Sequence, residues 1–321
     1  MSTDPSSPRQ TISDALKHFG ETFPSLTVQE VKASWPKDKD EWHERVQQRN
    51  AQHKKRVKQM RKQFNITMEL MSVEGVSVRK LTPPVLSDRF KGHVYLDIHG
   101  GAFVYYGGLS SIDEGILIAA RLGIVVYSID YRMPPAFPAP FGLRDIEAVY
   151  RAFLSQENSK NIFIGGTSAG GGLTIALIQS LIRQNLQLPQ AAYIGSPWAD
   201  LTNTGDSRQT NEGFDRILVT YHGELRAAAA LYAGTIPLPD PQISPIYGSF
   251  GGFPPCFIVS GTRDLLLSDA IRVNRSIRDN QGTTHLEIVE GLSHAEYLIA
   301  YNTPESLVVY DGLSVFFQRH S

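Results

Sequence analysis

The sequence predicts an α/β protein built on a mostly parallel sheet with helices on both faces. Short runs of β-branched and aromatic residues recur from about Val73 onward. Segments of helical length, with helical spacing of their apolar residues, separate these runs. The runs are apolar without alternation, which is typical of strands that are buried on both faces of a sheet.

The alternation of elements places the strands and helices along the chain. Strands are predicted at 93–98, 124–129, 161–164, 191–194, 256–259 and 285–289, and helices at 113–122, 141–156 and 170–184. The polar residues 1–8 are expected to be disordered. The remainder of residues 1–70 is charged and helix-like, and about 202–238 is helix-like without a strand. Because such sheets bind ligands at their carboxyl edge, these two segments are predicted to form a helical cap over the α/β domain, 71–321.

Composition limits the classes of function. The chain has 321 residues, 41% of them hydrophobic and 20% charged, with a net charge of −1. This balance predicts no nucleic-acid partner, and the basic run 53–62 is interpreted as a solvated helix face. The single cysteine, Cys256, excludes an internal disulfide and a multi-cysteine zinc site, and no metal or other cofactor is expected. No apolar run approaches the roughly 18 to 20 residues of a membrane span, and no signal peptide is evident, so a cytoplasmic protein is expected.

The sharpest motif is G-x-S-x-G at 166–170, with Ser168 at its centre. It stands between a predicted strand and a predicted helix, which is the context that a nucleophile elbow requires. Small residues must flank the serine because larger side chains would collide with the strand and the helix. The hydroxyl then lies at a helix N-terminus, whose N–H groups favour developing negative charge. Ser168 is therefore predicted to be a nucleophile.

A serine hydroxyl needs a base, and in this kind of fold an acid and then a histidine follow the serine along the chain. His294 is predicted to be the base because it lies in a loop just beyond the strand 285–289. Asp264 follows the strand 256–259 and is predicted to orient the imidazole. The rival acid is Asp269, for which a helix-capping role is expected.

A glycine-rich loop, His99-Gly100-Gly101-Ala102, follows the strand 93–98. It is similar to the H-G-G-G loop that contributes to the oxyanion hole of lipases and esterases. Backbone N–H groups of Gly101 and Ala102, together with that of Ala169 after the nucleophile, are predicted to bind the oxyanion.

These motifs resemble the hormone-sensitive-lipase family of bacterial esterases, which have the α/β-hydrolase fold. Three further segments match family motifs in the same order. Residues 130–139 are similar to D-Y-R-L-A-P-E-x-x-F-P-A, residues 196–202 to S-P-W-x-D-L-T, and residues 240–245 to the D-P…S-P stretch. The resemblance implies eight strands, a helical cap, a Ser168–Asp264–His294 triad and a homodimer, the common assembly in the family. It also implies structural roles for Tyr131, Arg132 and Asp145, and a supporting role for His99.

Three positions depart from the family pattern. Thr167 replaces the aspartate of the commoner G-D-S-A-G, which matches the G-T-S-A-G subgroup. Ala102 replaces the last glycine of H-G-G-G, and His294 is followed by Ala295-Glu296-Tyr297 where an apolar or aromatic pair is usual.

The function predicted from these residues is a serine carboxylesterase that acts on short- to medium-chain esters as small-molecule substrates. The predicted pocket is formed by side chains near the oxyanion loop, in the insertion and after the histidine: Phe103, Tyr105, Tyr106, Phe214, Leu218, Tyr221, Tyr297 and Leu298. A lactone hydrolase with the same triad is one alternative. A non-catalytic ligand-binding protein with this fold is another, against which the intact triad argues.

Overall fold

A computed structural model describes residues 11–23, 26–155 and 161–321 of the chain. The predicted disorder of residues 1–8, and the first part of the predicted cap segment, lie outside the described residues. The eight strands of the sheet are β1 (Thr67–Val73), β2 (Val76–Thr82), β3 (Val94–Ile98), β4 (Val125–Asp130), β5 (Ile162–Thr167), β6 (Ala191–Gly195), β7 (Cys256–Gly261) and β8 (Thr284–Val289).

The sheet has the order β1-β2-β4-β3-β5-β6-β7-β8. Strands β3 to β8 pair in parallel, and only the pairs β1–β2 and β2–β4 are antiparallel. The predicted fold class and the eight strands are therefore confirmed. Every residue of β5, β6 and β7 is buried, which accounts for the continuous apolar runs in these three segments.

The hairpin of β1 and β2 was not among the strands predicted from the sequence. Its strands join through Glu74 and Gly75, which both have positive φ (51° and 79°), as a tight two-residue hairpin turn requires. Strand β1 lies at the edge of the sheet and is mostly exposed, so no apolar run marks it. Because β1 begins at Thr67, the helical part of the N-terminal segment ends before the boundary expected at residue 70.

Helices cover both faces of the sheet. They are α1 (Asp14–Thr22), α2 (Val28–Ala33), α3 (Lys39–Gln63), α4 (Asp113–Leu122), α5 (Phe141–Leu154), α6 (Ala169–Arg183), α7 (Ser207–Thr210), α8 (Glu224–Ala233), α9 (Leu267–Asp279), α10 (Glu296–Ile299) and α11 (Pro304–Arg319). Helices α5, α6 and α9 contribute to one hydrophobic core, and α1, α3, α4 and α11 to the other. In the described part of the chain, none of these helices is both long and apolar enough to cross a bilayer.

The N-terminal helices contact the insertion between β6 and β7. Arg45 and Arg49 of α3 both form ion pairs with Glu224 of α8, at 2.9 and 2.8 Å. Trp42 of α3 packs in a small buried cluster with Ala228 of α8 and Tyr105. Two segments that are distant in sequence therefore lie together, beside the loop that follows β3.

Candidate active site

Ser168 lies in a sharp turn between the last residue of β5 and the first residue of α6. Its backbone has φ 62° and ψ −119°, a strained conformation for a residue other than glycine. A Cβ atom at Gly166 or at Gly170 would collide with the carbonyl oxygen of Ile98 in the neighbouring strand. The two glycines of the motif are thus required by the close approach of β3 to the turn.

His294 joins Ser168 to Asp264 by two hydrogen bonds. The Ser168 Oγ donates to Nε2 of His294 at 2.8 Å, and Nδ1 of His294 donates to Oδ1 of Asp264 at 3.0 Å. The imidazole and the carboxylate are both buried. Asp264 also accepts hydrogen bonds from Ser260 Oγ and from the N–H of Leu266, each at 2.8 Å. The three side chains predicted from the sequence lie together in the order that proton transfer from the serine requires.

The two partners shift each other's pKa in opposite directions. Burial would lower the pKa of His294, but the charge and hydrogen bond of Asp264 outweigh it and raise the pKa above 6.5. Burial would raise the pKa of Asp264, but the His294 imidazole and the hydrogen bonds to the carboxylate hold it below 3.8. The carboxylate is therefore suited to stabilise an imidazolium that forms beside it.

A second buried carboxylate, Asp215, lies beside this pair. It comes from the insertion and has no exposed surface. Its Oδ2 accepts hydrogen bonds from the N–H of Leu265 at 2.7 Å and the N–H of His294 at 3.3 Å. This residue was not among those predicted from the sequence. The sequence gives no pattern that links position 215 to the two loops, which lie about 50 and 80 positions further along the chain.

The loop after β3 approaches the nucleophile closely. A Cβ atom at Gly100 would lie 2.7 Å from the carbonyl oxygen of Thr167 and 3.4 Å from the Ser168 Cβ. Gly101 and Ala102 both have positive φ, 105° and 52°. Successive N–H groups in such a conformation can converge on an anion. Ala169 is the first residue of α6, where backbone N–H groups have no partner within the helix. Gly100 thus lies against the turn and Ala169 directly follows the serine, and the role of Gly101, Ala102 and Ala169 as oxyanion donors stays a prediction.

Gly101→Ala is expected to reduce kcat about 100-fold, because the loop must change its backbone conformation and so displace the predicted oxyanion donors. At φ 105°, a Cβ atom would lie 2.5 Å from the carbonyl oxygen of Tyr105 and 2.8 Å from the Tyr106 ring. Steady-state ester hydrolysis and thermal unfolding measure the effect. The control is Gly75→Ala, at φ 79° with no atom within 4 Å of the added Cβ. Wild-type kcat in Gly101→Ala would contradict the role assigned to this loop.

Thr167 belongs to a buried polar cluster on the far side of the turn. Its Oγ1 donates to Oε1 of Glu114 at 2.6 Å and lies 3.0 Å from the hydroxyls of Tyr193 and Tyr297. Burial raises the pKa of Glu114 to about 7, and a hydrogen bond from Thr167 partly opposes this rise. The threonine therefore anchors the elbow to α4 and β6.

Two of the predicted pocket residues, Tyr297 and Leu298, lie in the protein interior instead. Tyr297 is fully buried, and its hydroxyl bonds within the cluster behind β5. Leu298 packs in the hydrophobic core on the side of α4 and α11, and its carbonyl oxygen accepts a hydrogen bond from Arg56. Both residues lie within the short helix α10 and are buried, so their proximity to His294 in sequence was misleading.

Three of the other predicted pocket residues lie in the loop after the oxyanion segment. Phe103 is buried and stacks on Tyr232 of α8, with the ring centroids 4.0 Å apart. Tyr105 is buried beneath α3, where the Arg49 guanidinium lies 4.7 Å from its ring centroid. The N–H of Tyr106 donates to Oδ1 of Asn50 in α3 at 2.7 Å. Helix α3 therefore contacts this loop directly.

The remaining three predicted pocket residues lie in the insertion. Phe214 is 40% exposed. Leu218 is partly buried, and its N–H donates to Oδ1 of Asp215 at 3.0 Å. Tyr221 is buried, and its hydroxyl donates to the carbonyl oxygen of Leu201 at 2.7 Å. The Tyr221 hydroxyl is thus already bonded to the backbone. A role in substrate binding stays a prediction for Phe214, Leu218 and Tyr221.

The supporting residues implied by the family resemblance form two pairs, Tyr131 with His99 and Arg132 with Asp145. The Tyr131 hydroxyl donates to the carbonyl oxygen of His99 at 2.8 Å, and the two rings stack. Arg132 forms a bidentate ion pair with Asp145, with a shortest distance of 2.6 Å. His99 itself donates from Nδ1 to the carbonyl oxygen of Gly100 at 2.7 Å.

Asp269 lies in the first turn of α9 but does not cap that helix, which corrects the role expected for it. The residue at the cap position is Leu266. The Asp269 carboxylate instead accepts hydrogen bonds from the N–H groups of Ala199 and Asp200 and pairs with Arg208 at 3.0 Å. It is thus a buried structural acid that fixes the segment after β6.

The sheet topology, the strained serine and the hydrogen-bonded imidazole define a class of protein, the α/β hydrolases. A family model described as alpha/beta hydrolase fold matches residues 95–298. The chain is 37% identical to the esterase E25, whose crystal structure aligns with 98% of this chain and 96% of its own at a TM-score of 0.95. An esterase described as a member of the bacterial hormone-sensitive lipase family is 26% identical, with a TM-score of 0.80 and coverage of 100% and 99%.

An acetyl-hydrolase of Streptomyces hygroscopicus is 35% identical over 184 residues. This alignment covers 57% of the chain and 60% of the relative, so the chain spans less than two thirds of that protein's length. The chain belongs to the α/β-hydrolase family, and its structural neighbours include bacterial esterases of the hormone-sensitive-lipase family. The predicted family is confirmed, and membership of the G-T-S-A-G subgroup stays a prediction.

Proposed function

We propose that the chain is a serine carboxylesterase that hydrolyses short- to medium-chain carboxylic esters through Ser168, His294 and Asp264. The observation that carries the proposal is the pair of hydrogen bonds through His294, 2.8 Å to Ser168 and 3.0 Å to Asp264. The names of relatives, an esterase and an acetyl-hydrolase, support a small acyl group. The bulky, buried Phe103 beside the oxyanion loop supports the same preference.

In the first half-reaction the Ser168 Oγ attacks the ester carbonyl carbon while its proton passes to Nε2 of His294. The oxyanion of the tetrahedral intermediate accepts hydrogen bonds from the N–H groups of Gly101, Ala102 and Ala169. Collapse breaks the bond to the alcohol oxygen, which takes the proton from His294 and leaves an acyl-serine. A water molecule then repeats the sequence, which releases the carboxylic acid and returns the proton to Ser168.

The N-terminal helices α1–α3 and the insertion at about 202–238 are proposed to be the cap of this enzyme. Their ion pairs, between α3 and Glu224, support this division. The hydrogen bond from Tyr106 to Asn50 connects the same helix to the loop beside the serine. The homodimer and the cytoplasmic location stay predictions.

A substrate panel combined with active-site labelling tests the proposed function. The chain is incubated with p-nitrophenyl esters of increasing acyl length, with aliphatic lactones, and with a fluorescent alkylphosphonate that reacts with activated serines. The proposal predicts fastest turnover on short and medium acyl chains and label on the peptide that contains Ser168. Faster turnover of lactones than of any linear ester would favour a lactonase. Absence of both turnover and label would contradict an enzymatic function.

The pH dependence of kcat/KM is expected to have an acid limb with an apparent pKa above 6.5, the ordinary value for histidine. The sign follows from the role of the base, because a protonated His294 cannot accept the Ser168 proton. Activity is therefore lost as the pH falls through this raised pKa. The measurement is kcat/KM for p-nitrophenyl butyrate at constant ionic strength, with circular dichroism at each pH as a control for unfolding. An activity that stays constant down to about pH 5 would contradict His294 as the base.

A further inference from the structure

Asp215 connects the insertion to both loops that carry the partners of Ser168. It lies between α7 and α8, is fully buried, and uses both carboxylate oxygens. Its Oδ1 accepts hydrogen bonds from the N–H groups of Ile217 and Leu218, at 2.9 and 3.0 Å, which fixes the carboxylate on its own turn. Its Oδ2 is thereby left to face the two loops.

Oδ2 of Asp215 accepts hydrogen bonds from the backbone beside Asp264 and at His294, the two partners of Ser168. Leu265, whose N–H donates at 2.7 Å, directly follows Asp264, and the second donor is the N–H of His294 itself, at 3.3 Å. One oxygen atom therefore bridges the loop after β7 and the loop after β8. A displacement of Asp215 would change the distance between the imidazole and the carboxylate that orients it.

The neighbouring residue holds the histidine loop at a second place. The N–H of Arg216 donates to Ser293 Oγ at 3.1 Å, and its guanidinium pairs with the buried Glu296 at 3.0 Å. Glu296 in turn accepts a hydrogen bond from the N–H of Ser293 at 2.7 Å. The unusual glutamate two positions after His294 is thus explained as the partner of Arg216.

We propose that Asp215 is a positioning residue for the hydrolytic reaction, which fixes the relative placement of Asp264 and His294 and adds a second negative charge beside the imidazole. This inference rests on the proposed serine esterase function. The insertion would then position groups of the triad as well as cover the site.

The charges around His294 come from several elements. Asp264 lies on the loop after β7, Asp215 on the insertion, and the cation Arg208 on α7, where its charge lowers the pKa of His294. The other charged pair near the histidine loop, Arg216 and Glu296, is internally compensated. Burial and the Asp264 charge raise the pKa of Asp215 itself to about 6.

Asp215→Asn is expected to lower kcat for p-nitrophenyl butyrate about 10- to 100-fold while KM changes less than about threefold, because Asp215 positions other groups and does not contact substrate. The acid limb of kcat/KM is expected to move to lower pH by about 0.5 to 1 unit, since loss of the charge lowers the pKa of His294. Kinetics are measured at 15 °C beside thermal unfolding. Asp206→Asn, an exposed aspartate in the same insertion, is the matched control and should resemble wild type.

The outcomes separate this inference from the proposed function. Wild-type chain that neither turns over esters nor takes up the phosphonate label contradicts the proposed function. An active wild type with an unchanged kcat or an unmoved acid limb in Asp215→Asn overturns the positioning role alone. If Asp215→Asn does not fold, Asp215→Glu decides, because it keeps the charge but displaces the carboxylate. If Asp215→Glu keeps the acid limb of the wild type but has a lower kcat, the inference is supported. If its kcat equals that of the wild type, the inference is overturned.

Discussion

Replacement of Ser168 by alanine is expected to reduce kcat for p-nitrophenyl butyrate by about 10⁴- to 10⁶-fold, the largest effect of any single change in the chain. The substitution removes the atom that forms the bond to the acyl carbon, and no other hydroxyl is held 2.8 Å from Nε2 of His294 in the described residues. The backbone N–H groups around the serine remain, so a small activity above that of water is expected.

The stability of this variant is expected to change little, because Ser168 is partly exposed and its backbone bonds are retained. Its N–H donates to the carbonyl oxygen of Gly195, and its carbonyl oxygen accepts from the N–H of Trp198. The melting temperature should stay within about 3 °C of wild type. Ser77→Ala, at an exposed position of β2, is the matched control. Turnover within tenfold of wild type, or phosphonate label retained on the variant, would exclude Ser168 as the nucleophile.

Asp264→Asn is expected to reduce kcat by about 10⁴-fold at neutral pH. An asparagine amide group can donate to Nδ1 of His294, which favours the tautomer with a proton on Nε2 and prevents acceptance of the Ser168 proton. Loss of the charge also lowers the pKa of His294, so the acid limb of kcat/KM is expected to move to lower pH. Steady-state kinetics across the pH range and thermal unfolding measure both effects.

The control for this variant is Asp311→Asn, an exposed aspartate on α11. A loss of stability is expected in Asp264→Asn alone, because the buried carboxylate accepts hydrogen bonds from Ser260 and Leu266 besides that from His294. Titration with the phosphonate gives the fraction of folded, competent enzyme, so kcat is expressed per active site. A kcat within tenfold of wild type on this basis would mean that another acid, with Asp215 the nearest, orients the histidine.

The central strands of the fold could be predicted because each is buried on both faces and therefore carries its own apolar run. The hairpin of β1 and β2 could not be predicted on this basis. Strand β1 is an exposed edge, and its place depends on pairing with β2, in register from Thr67 with Thr82 to Val73 with Val76. The Glu74-Gly75 turn was the one local feature that could have indicated it.

At the site, local sequence motifs were sufficient to predict those functional residues that lie in a single turn or a single loop. The loop after β8 places His294, and the elbow places Ser168, each through its own sequence. Asp215 and Glu114 could not be found in this way, because each acts on residues about 50 or more positions away. Tyr297 illustrates the converse, since proximity along the chain does not fix the direction of a side chain once a helix begins.

The hydrogen bond between Thr167 and Glu114 makes these two positions an epistatic pair. An aspartate at 167, the residue of the commoner G-D-S-A-G motif, would bring a second carboxylate against Glu114 in a buried pocket where like charges repel strongly. The substitution Thr167→Asp alone would incur this penalty in the present chain. A neutral side chain in place of Glu114 on α4 would remove this repulsion, so the two positions are expected to depend on each other.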